Sequence, residues 1–368
     1  MSPEKLDYWL REILPLPTAP FHEDAVRERV RRLARERGLS LKEDRAGNLL
    51  LEYKNRGKRS KPVAFTCHMD HPGFEVVESR GRTAKVRLLG GVDEKTLKNS
   101  RLVFETEAGR IKAKTLSVKM AKDRRKEDTL LRIRADQKLE VGQFGWFDLV
   151  PLSIARGRIR SKALDNLVSA ALICALLDDL ASRRKKAHVY GLFTVAEEVG
   201  FVGAMEAVKG RLMPKKLPVI VMETSRELPS FEIGKGPVIR VGDRMSVFDD
   251  EMTLWLGDTA EALEKKDSSF RYQRALMPGG WCEATLFQLA GWKTGALAIA
   301  LDNYHNMGKK GAAAEAVSLG DTQQMLQFME ALALQGPDPV RKDKLLRSLE
   351  RVHARYAPRF RKRRPIRN

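Results

Sequence analysis

The sequence has only three cysteines in 368 residues, Cys67, Cys174 and Cys282. They are odd in number and widely spaced, so they offer neither a disulfide framework nor a Cys-x-x-Cys metal clip. No apolar run approaches the roughly 18 residues of a spanning helix, and the 32% charged fraction also argues against a membrane protein. The opening residues lack a basic stretch followed by an apolar one, so no secretory leader is expected, and a reducing cytoplasm fits best. Also absent are a Gly-x-Ser-x-Gly elbow, a phosphate loop ending in Gly-Lys-Ser/Thr, and a His-Glu-x-x-His helix. Their absence sets aside the chemistries those motifs support. Gly234-Lys235-Gly236 is too short for a dinucleotide fingerprint and reads as a turn before a strand. No internal repeat is visible.

Acidic residues are the other shortage: 48 against 68 Lys and Arg, a net charge of +20. Residues 337–368 alone carry twelve basic and three acidic side chains, including the run Arg361-Lys362-Arg363-Arg364. Such a tail can meet nucleic acid or an acidic partner. No aromatic interleaving accompanies the charge, and we read the segment as a solvated basic helix and tail.

What is present is an α/β pattern with an interruption. The length suggests about two domains, and 43% hydrophobic residues supply a sizeable core. A first helix is expected near residues 3–13. In the next, Val26, Val30 and Leu33 recur at helical spacing and Gly38 stops the pattern. Two strands follow, the second ending in Cys67-His68-Met69-Asp70. Its nearly continuous apolar run suits burial on both faces. Residues 73–159 change character to short β-rich runs separated by turns, the mark of a small inserted β domain. From 160 strands and helices alternate again, which implies a largely parallel, helix-covered sheet. Its first helix, from about 165, is apolar almost all round and should be buried. A helix is expected from Gly257, and Gly336-Pro337 and Pro339 break the chain before the tail. The division is therefore 1–72 with 160–336, 73–159, and 337–368.

In such sheets, sites form at the carboxyl ends of strands. Ionisable residues end the strand candidates. His68 and Asp70 share one face, so His68 could bind a metal while Asp70 orients it. Glu197 and Glu198 close the strand before them, and two adjacent buried carboxylates are costly without a cation. Glu223 ends another strand, His305 follows a third, and Asp165 stands at the mouth of the buried helix. Singly, each has a plain reading: an N-cap for Asp165, a charged turn for Glu197-Glu198, a loop histidine for His305. Together they form a set of imidazoles and carboxylates suited to zinc, cobalt or manganese. Two such ions, bridged by one carboxylate, activate a water and polarise the bond it attacks.

With these residues assembled, the chain resembles the glutamyl and deblocking aminopeptidases, the tetrahedral-aminopeptidase family of dinuclear zinc exopeptidases. The resemblance rests on CHMDHPGF, KALDNLVSAALI, FTVAEEVGFVGA, VIVMETS, EIGKGPVI, Gly279-Gly280 and DNYHN, in family order. It implies a zinc-peptidase-like three-layer α/β/α sandwich carrying a small β-barrel-like insert. It implies that His68 and Glu223 bind one metal, Glu198 and His305 the other, and that Asp165 bridges them. Glu197 would be the general base, Asp70 would hold His68, and Gly279 and Gly280 would meet the substrate. Homo-oligomers, from dimers to dodecamers, would follow. Four positions depart from the family pattern: Glu223 for Asp, Asn166-Leu167 for Asp-Arg, His71 for Glu, and Trp281-Cys282-Glu283 for Thr-Asp. The rival readings are a related metal-dependent carboxypeptidase or deacylase, and an inactive basic scaffold that binds nucleic acid.

Overall fold

Every residue of Val63–His68 is buried, as a strand covered by helices on both faces requires. It lies in the middle of a mixed sheet in a computed structural model that describes residues 3–55, 57, 61–123, 127–337 and 340–362. Along the chain, α1 (Pro3–Ile13) and α2 (Asp24–Arg37) come first. Next are β1 (Ser40–Glu43), β2 (Leu49–Asn55) and β3 (Val63–His68). The insert holds β4 (Gly73–Arg80), β5 (Thr83–Leu89), α3 (Glu94–Leu97), β6 (Arg101–Thr106), β7 (Gly109–Lys119), β8 (Leu130–Ala135) and β9 (Phe144–Phe147). Then β10 (Ser153–Ala155) and β11 (Arg158–Ser161) lead to α4 (Leu167–Ser182). The second half is β12 (Ala187–Thr194), α5 (Val202–Lys209), β13 (Val219–Arg226), β14 (Val238–Gly242), α6 (Asp250–Lys266), β15 (Gln273–Leu276), α7 (Glu283–Leu289) and β16 (Thr294–Leu301). A short hairpin, β17 (Met307–Gly308) and β18 (Gly311–Ala312), precedes β19 (Glu315–Ser318), α8 (Leu319–Gln335) and α9 (Val340–Tyr356).

The main sheet has the order β1-β2-β12-β3-β13-β16-β14-β15. Its four central strands are parallel. Both flanks contain antiparallel pairs, β1 and β2 on one side and β14 against β16 on the other. Alternation along each strand feeds two cores. Val63, Phe65 and Cys67 face a core shared with α1, α2, α4 and α8, while Ala64 faces the one shared with α5 and α7. α4 is buried from Leu167 to Leu180 because the sheet covers one side and α1, α2 and α8 the others. α2 stops where expected: Gly38, at φ 62°, donates its amide to the Ala34 and Arg35 carbonyls, a left-handed cap that glycine adopts without strain.

The insert closes as a six-stranded barrel, β4-β5-β8-β7-β6-β9, around its own core of Phe74, Phe104 and Phe147. The barrel strands end at Phe147. β10 pairs instead with β11, and β11 with β19, beside the main sheet, so part of the segment assigned by sequence to the insert lies against the other domain. α6 starts at Asp250 rather than Gly257. Asp249 accepts the Met252 amide at 2.9 Å, and burial of Met252, Trp255 and Leu256 offsets the cost of about 1 kcal/mol for a glycine within the helix. β15 went unanticipated, since Gln273–Leu276 offers little apolar pattern.

α8 ends at Gln335, and α9 begins at Val340. Pro339 and the end of the basic run, Arg363 and Arg364, lie outside the described residues. From 346 to 356 every side chain is exposed, and none belongs to the site described below. We expect removal of residues 337–368 to leave the activity of the site described below unchanged within about two-fold, since surface changes away from a site usually act weakly. A folded but inactive truncation would contradict this. Among the described residues no helix is long and apolar enough to cross a membrane.

Candidate metal centre

The carboxyl ends of the parallel strands β3 and β12 lie side by side, with Thr194 opposite His68. The chain beyond β12 must therefore be fixed by side chains, because the ladder has run out. Asn48 Oδ1 accepts the Val195 amide at 3.1 Å, and Glu23 Oε1 accepts the Ala196 amide at 2.9 Å. Asp70 accepts the last two: Oδ1 takes the Glu197 amide and Oδ2 the Glu198 amide, both at 3.0 Å. The Glu197-Glu198 pair is thus held by its backbone, which leaves both carboxylates free to face the cleft. Gly203 completes the turn. A Cβ there would lie 2.1 Å from the Val195 carbonyl oxygen, so no larger residue fits.

Asp70 does more than the sequence reading assigned to it. His68 Nδ1 lies 3.1 Å from the Asp70 backbone oxygen and 3.4 Å from its carboxylate. The carbonyl fixes the ring, and the carboxylate chiefly serves the two glutamate amides. His305 is fixed in the same manner. It sits in a tight turn at φ 55°, and its Nδ1 donates to the Gly91 carbonyl of the insert at 2.6 Å. Each imidazole so turns Nε2 toward the centre, the arrangement common among metal-binding histidines.

Asp165 lies between the two rings. Its Oδ1 is 3.5 Å from His68 Nε2 and its Oδ2 is 3.6 Å from His305 Nε2. Glu223 Oε2 is 3.8 Å from His68 Nε2, and Glu198 Oε1 is 3.1 Å from His305 Nε2. His68, Asp165 and Glu223 offer ligand atoms within 4.8 Å of one another, and so do Asp165, Glu198 and His305. A third grouping joins His68, Glu197 and Glu198, with Glu197 Oε2 4.0 Å from His68 Nε2. The structure therefore brings together every residue singled out as a ligand, with Asp165 common to two triads.

The electrostatics ask for cations. Burial raises the pKa of Glu197 and Glu198 well above the carboxylate range, and neighbouring carboxylates add to it. Burial opposes charge on His68, but Glu197, Asp165, Asp70 and Glu223 outweigh it and push that imidazole well up. His305 moves down, through burial, which keeps a lone pair on Nε2. Asp165 Oδ1, Glu198 Oε1 and Glu223 Oε1 are buried without a hydrogen-bond partner. Orphaned buried oxygens are costly, and a divalent cation would satisfy them. The donor set, imidazole nitrogen and carboxylate oxygen, suits zinc, cobalt or manganese.

Several participants were invisible in the sequence. Glu315, fully buried, accepts the His305 amide through Oε1 at 2.8 Å. Its Oε2 accepts the Leu164 and Asp165 amides at 2.7 and 2.9 Å. One carboxylate thus ties the backbones of two candidate ligands together. Replacing it by glutamine removes an acceptor oxygen. We expect Glu315→Gln to weaken metal binding roughly 10- to 100-fold, the usual cost of losing a group that orients a ligand; titration with zinc checks this, and unchanged affinity would contradict it. His71, marked in the sequence only as a departure, bonds the Asp165 carbonyl and, at 3.0 Å, Asn306 Oδ1. Tyr304 stacks on His305 with ring centroids 3.7 Å apart. Asp165 is not the N-cap of α4, which is Asn166.

The centre opens into a cleft of about 300 Å³ whose wall includes Arg240, Met277, Gly279, Gly280, Trp281 and Tyr304. Gly279 and Gly280 thus lie where a substrate would pass. A larger cavity, about 830 Å³, opens between the barrel and the β17–β18 hairpin and contains none of these groups. Among the described residues, the groups able to hold a metal gather at the first of these clefts.

The sequence agrees with this geometry. A model of the family described as M42 glutamyl aminopeptidase matches residues 47–325. A putative aminopeptidase of Acetivibrio thermocellus is 26% identical over 307 residues, which are 77% of this chain and 87% of that protein. Aminopeptidase APDkam598 from Desulfurococcus kamchatkensis superposes with a TM-score of 0.76 at 22% identity, covering 92% of this chain and 98% of that one. The TET1 peptidase of Pyrococcus horikoshii, described as able to assemble into a tetrahedron or a large octahedral shell, gives 0.73 at 22% identity, with 90% and 100% covered. Both superpositions bear out the α/β sandwich with its barrel insert. The family match spans well over half of the sequence, and the chain belongs to the M42 glutamyl aminopeptidase family.

Proposed function

We propose that this aminopeptidase-family chain works with two divalent ions, zinc foremost, to hydrolyse the first peptide bond of substrates with a free N-terminus. The observation that carries the reading is the position of Asp165, whose two oxygens point to different triads. His68 and Glu223 would hold one ion, Glu198 and His305 the other, and Asp165 both. Bound there, the ions would polarise the scissile carbonyl and lower the pKa of a water. The chain's own work is positioning and proton transfer. Glu197, held by its amide on Asp70, would take the proton from the attacking water and pass it to the leaving amine. Gly91, Glu315 and Asp70 keep the ligands aimed.

Cleavage of a panel of aminoacyl-anilides, with N-acetylated controls and metal removal by chelation, tests this. Activity that needs both a free amine and metal supports it. Equal cleavage of the N-acetylated series would favour a deacylase, and chelation-resistant cleavage would end the dinuclear reading. The three buried, unpaired cysteines support a reducing, cytoplasmic setting, and the shells reported for the Pyrococcus relative support homo-oligomerisation.

A further inference from the structure

α9 carries a face that the metal centre does not use. Leu346, Leu349, Val352 and Tyr356 recur every three or four residues along it, each between 45% and 58% exposed. At 3.6 residues per turn they fall within an arc of about 120°, a stripe on the order of 15 Å long. From 346 to 356, His353 is the one polar side chain inside that arc. Arg347, Arg351 and Arg355 fall on the opposite side, within about 80° of one another. Phe360, in the turn that follows, is also exposed. The sequence showed the charge of this segment, and the helix adds the stripe. An apolar row so open to water marks a surface that something covers. α9 also lies past residue 325, where the family match ends.

We propose that α9 docks the protein on an anionic phospholipid surface, lying in its plane with Leu346, Leu349, Val352 and Tyr356 turned toward the acyl chains. The helix rests on the bilayer and does not cross it, since no described helix is long and apolar enough to span. Charge decides among the possible coverings. Residues 337–368 carry twelve basic and three acidic side chains. A second copy of the helix would bring the same charge against the first, and like charges oppose that contact. A nucleic acid would take the arginines but leave Leu346, Leu349 and Val352 in water. An acidic bilayer satisfies both faces: acyl chains cover the stripe, and lipid phosphates attract the basic side chains. One weak apolar anchor joined to a basic patch is also the combination that holds a protein on a membrane. None of these side chains belongs to the metal centre, so docking stands apart from hydrolysis.

The test floats the full-length protein with vesicles of phosphatidylcholine alone and of phosphatidylcholine mixed with phosphatidylglycerol. Binding is expected to the mixed vesicles only, and should weaken as salt is added. The double variant Leu349→Gln/Val352→Gln should weaken it roughly 10-fold or more, from the apolar area no longer buried. Arg351→Gln/Arg355→Gln should cost about five-fold per arginine. Glutamine is a good helix former, and circular dichroism with gel filtration checks that both variants stay folded. A wild-type protein that ignores the mixed vesicles would overturn the proposal. So would binding that survives loss of the apolar pair, which would reduce the contact to charge alone. A change of oligomer size in Leu349→Gln/Val352→Gln, with no vesicle binding by the wild type, would assign the stripe to a second copy. Capture of a nucleic-acid duplex in place of the vesicles would assign the helix to nucleic acid, and either result rejects the lipid surface.

Discussion

Glu197→Gln is expected to keep its full complement of metal and lose roughly 10²- to 10⁴-fold in kcat, the usual contribution of a positioned general base. The two parts of that result come from one structural fact. Glu197 lies beside the triads that share Asp165 and belongs to neither, and it is held through its amide by Asp70. Glutamine keeps the amide contact and the shape but cannot accept the proton. KM should change little, because the loss falls on the transition state. Metal analysis alongside the kinetics separates this from a collapsed site. Normal turnover would remove Glu197 from the chemistry.

Asp165→Ala should be worse, and different in kind. Glu223→Ala or His305→Ala takes one ligand from one triad, while Asp165→Ala takes one from each. The expected outcome is loss of both ions from Asp165→Ala, against loss of chiefly one from either single-triad variant, counted by elemental analysis after gel filtration. Activity should fall below detection in all three. Equal stoichiometry across the series would mean that Asp165 does not bridge. Asp165→Ala leaves the backbone contacts to Glu315 in place, so unfolding is not the expected cause. A circular dichroism spectrum checks that point.

Much of this was legible in the sequence for a plain reason. The candidate ligands cluster where buried strands end, and strand ends can be read from apolar runs: His68 at the end of β3, Glu197 and Glu198 after β12, His305 after β16. Glu223 was read as a strand end but lies within β13, which runs on to Arg226; its side chain still reaches His68. What stayed hidden depends on contacts between distant segments. Glu315 in a short strand looks like any polar residue, and its role exists only because Leu164, Asp165 and His305 converge on it. Gly91 acts through a carbonyl, which every residue has. Asp70 was placed beside His68 because they share a face, but its two carboxylate oxygens serve a loop more than 120 positions away. β10 and β11 look like barrel strands in sequence, and only the pairing of β11 with β19 sets them beside the main sheet.

The most direct measurement is anomalous diffraction from crystals grown with zinc. Two peaks are predicted, one within reach of His68, Asp165 and Glu223, the other within reach of Asp165, Glu198 and His305, with one Asp165 oxygen on each. A single peak, or peaks that leave Asp165 or His305 uncoordinated, would contradict the account.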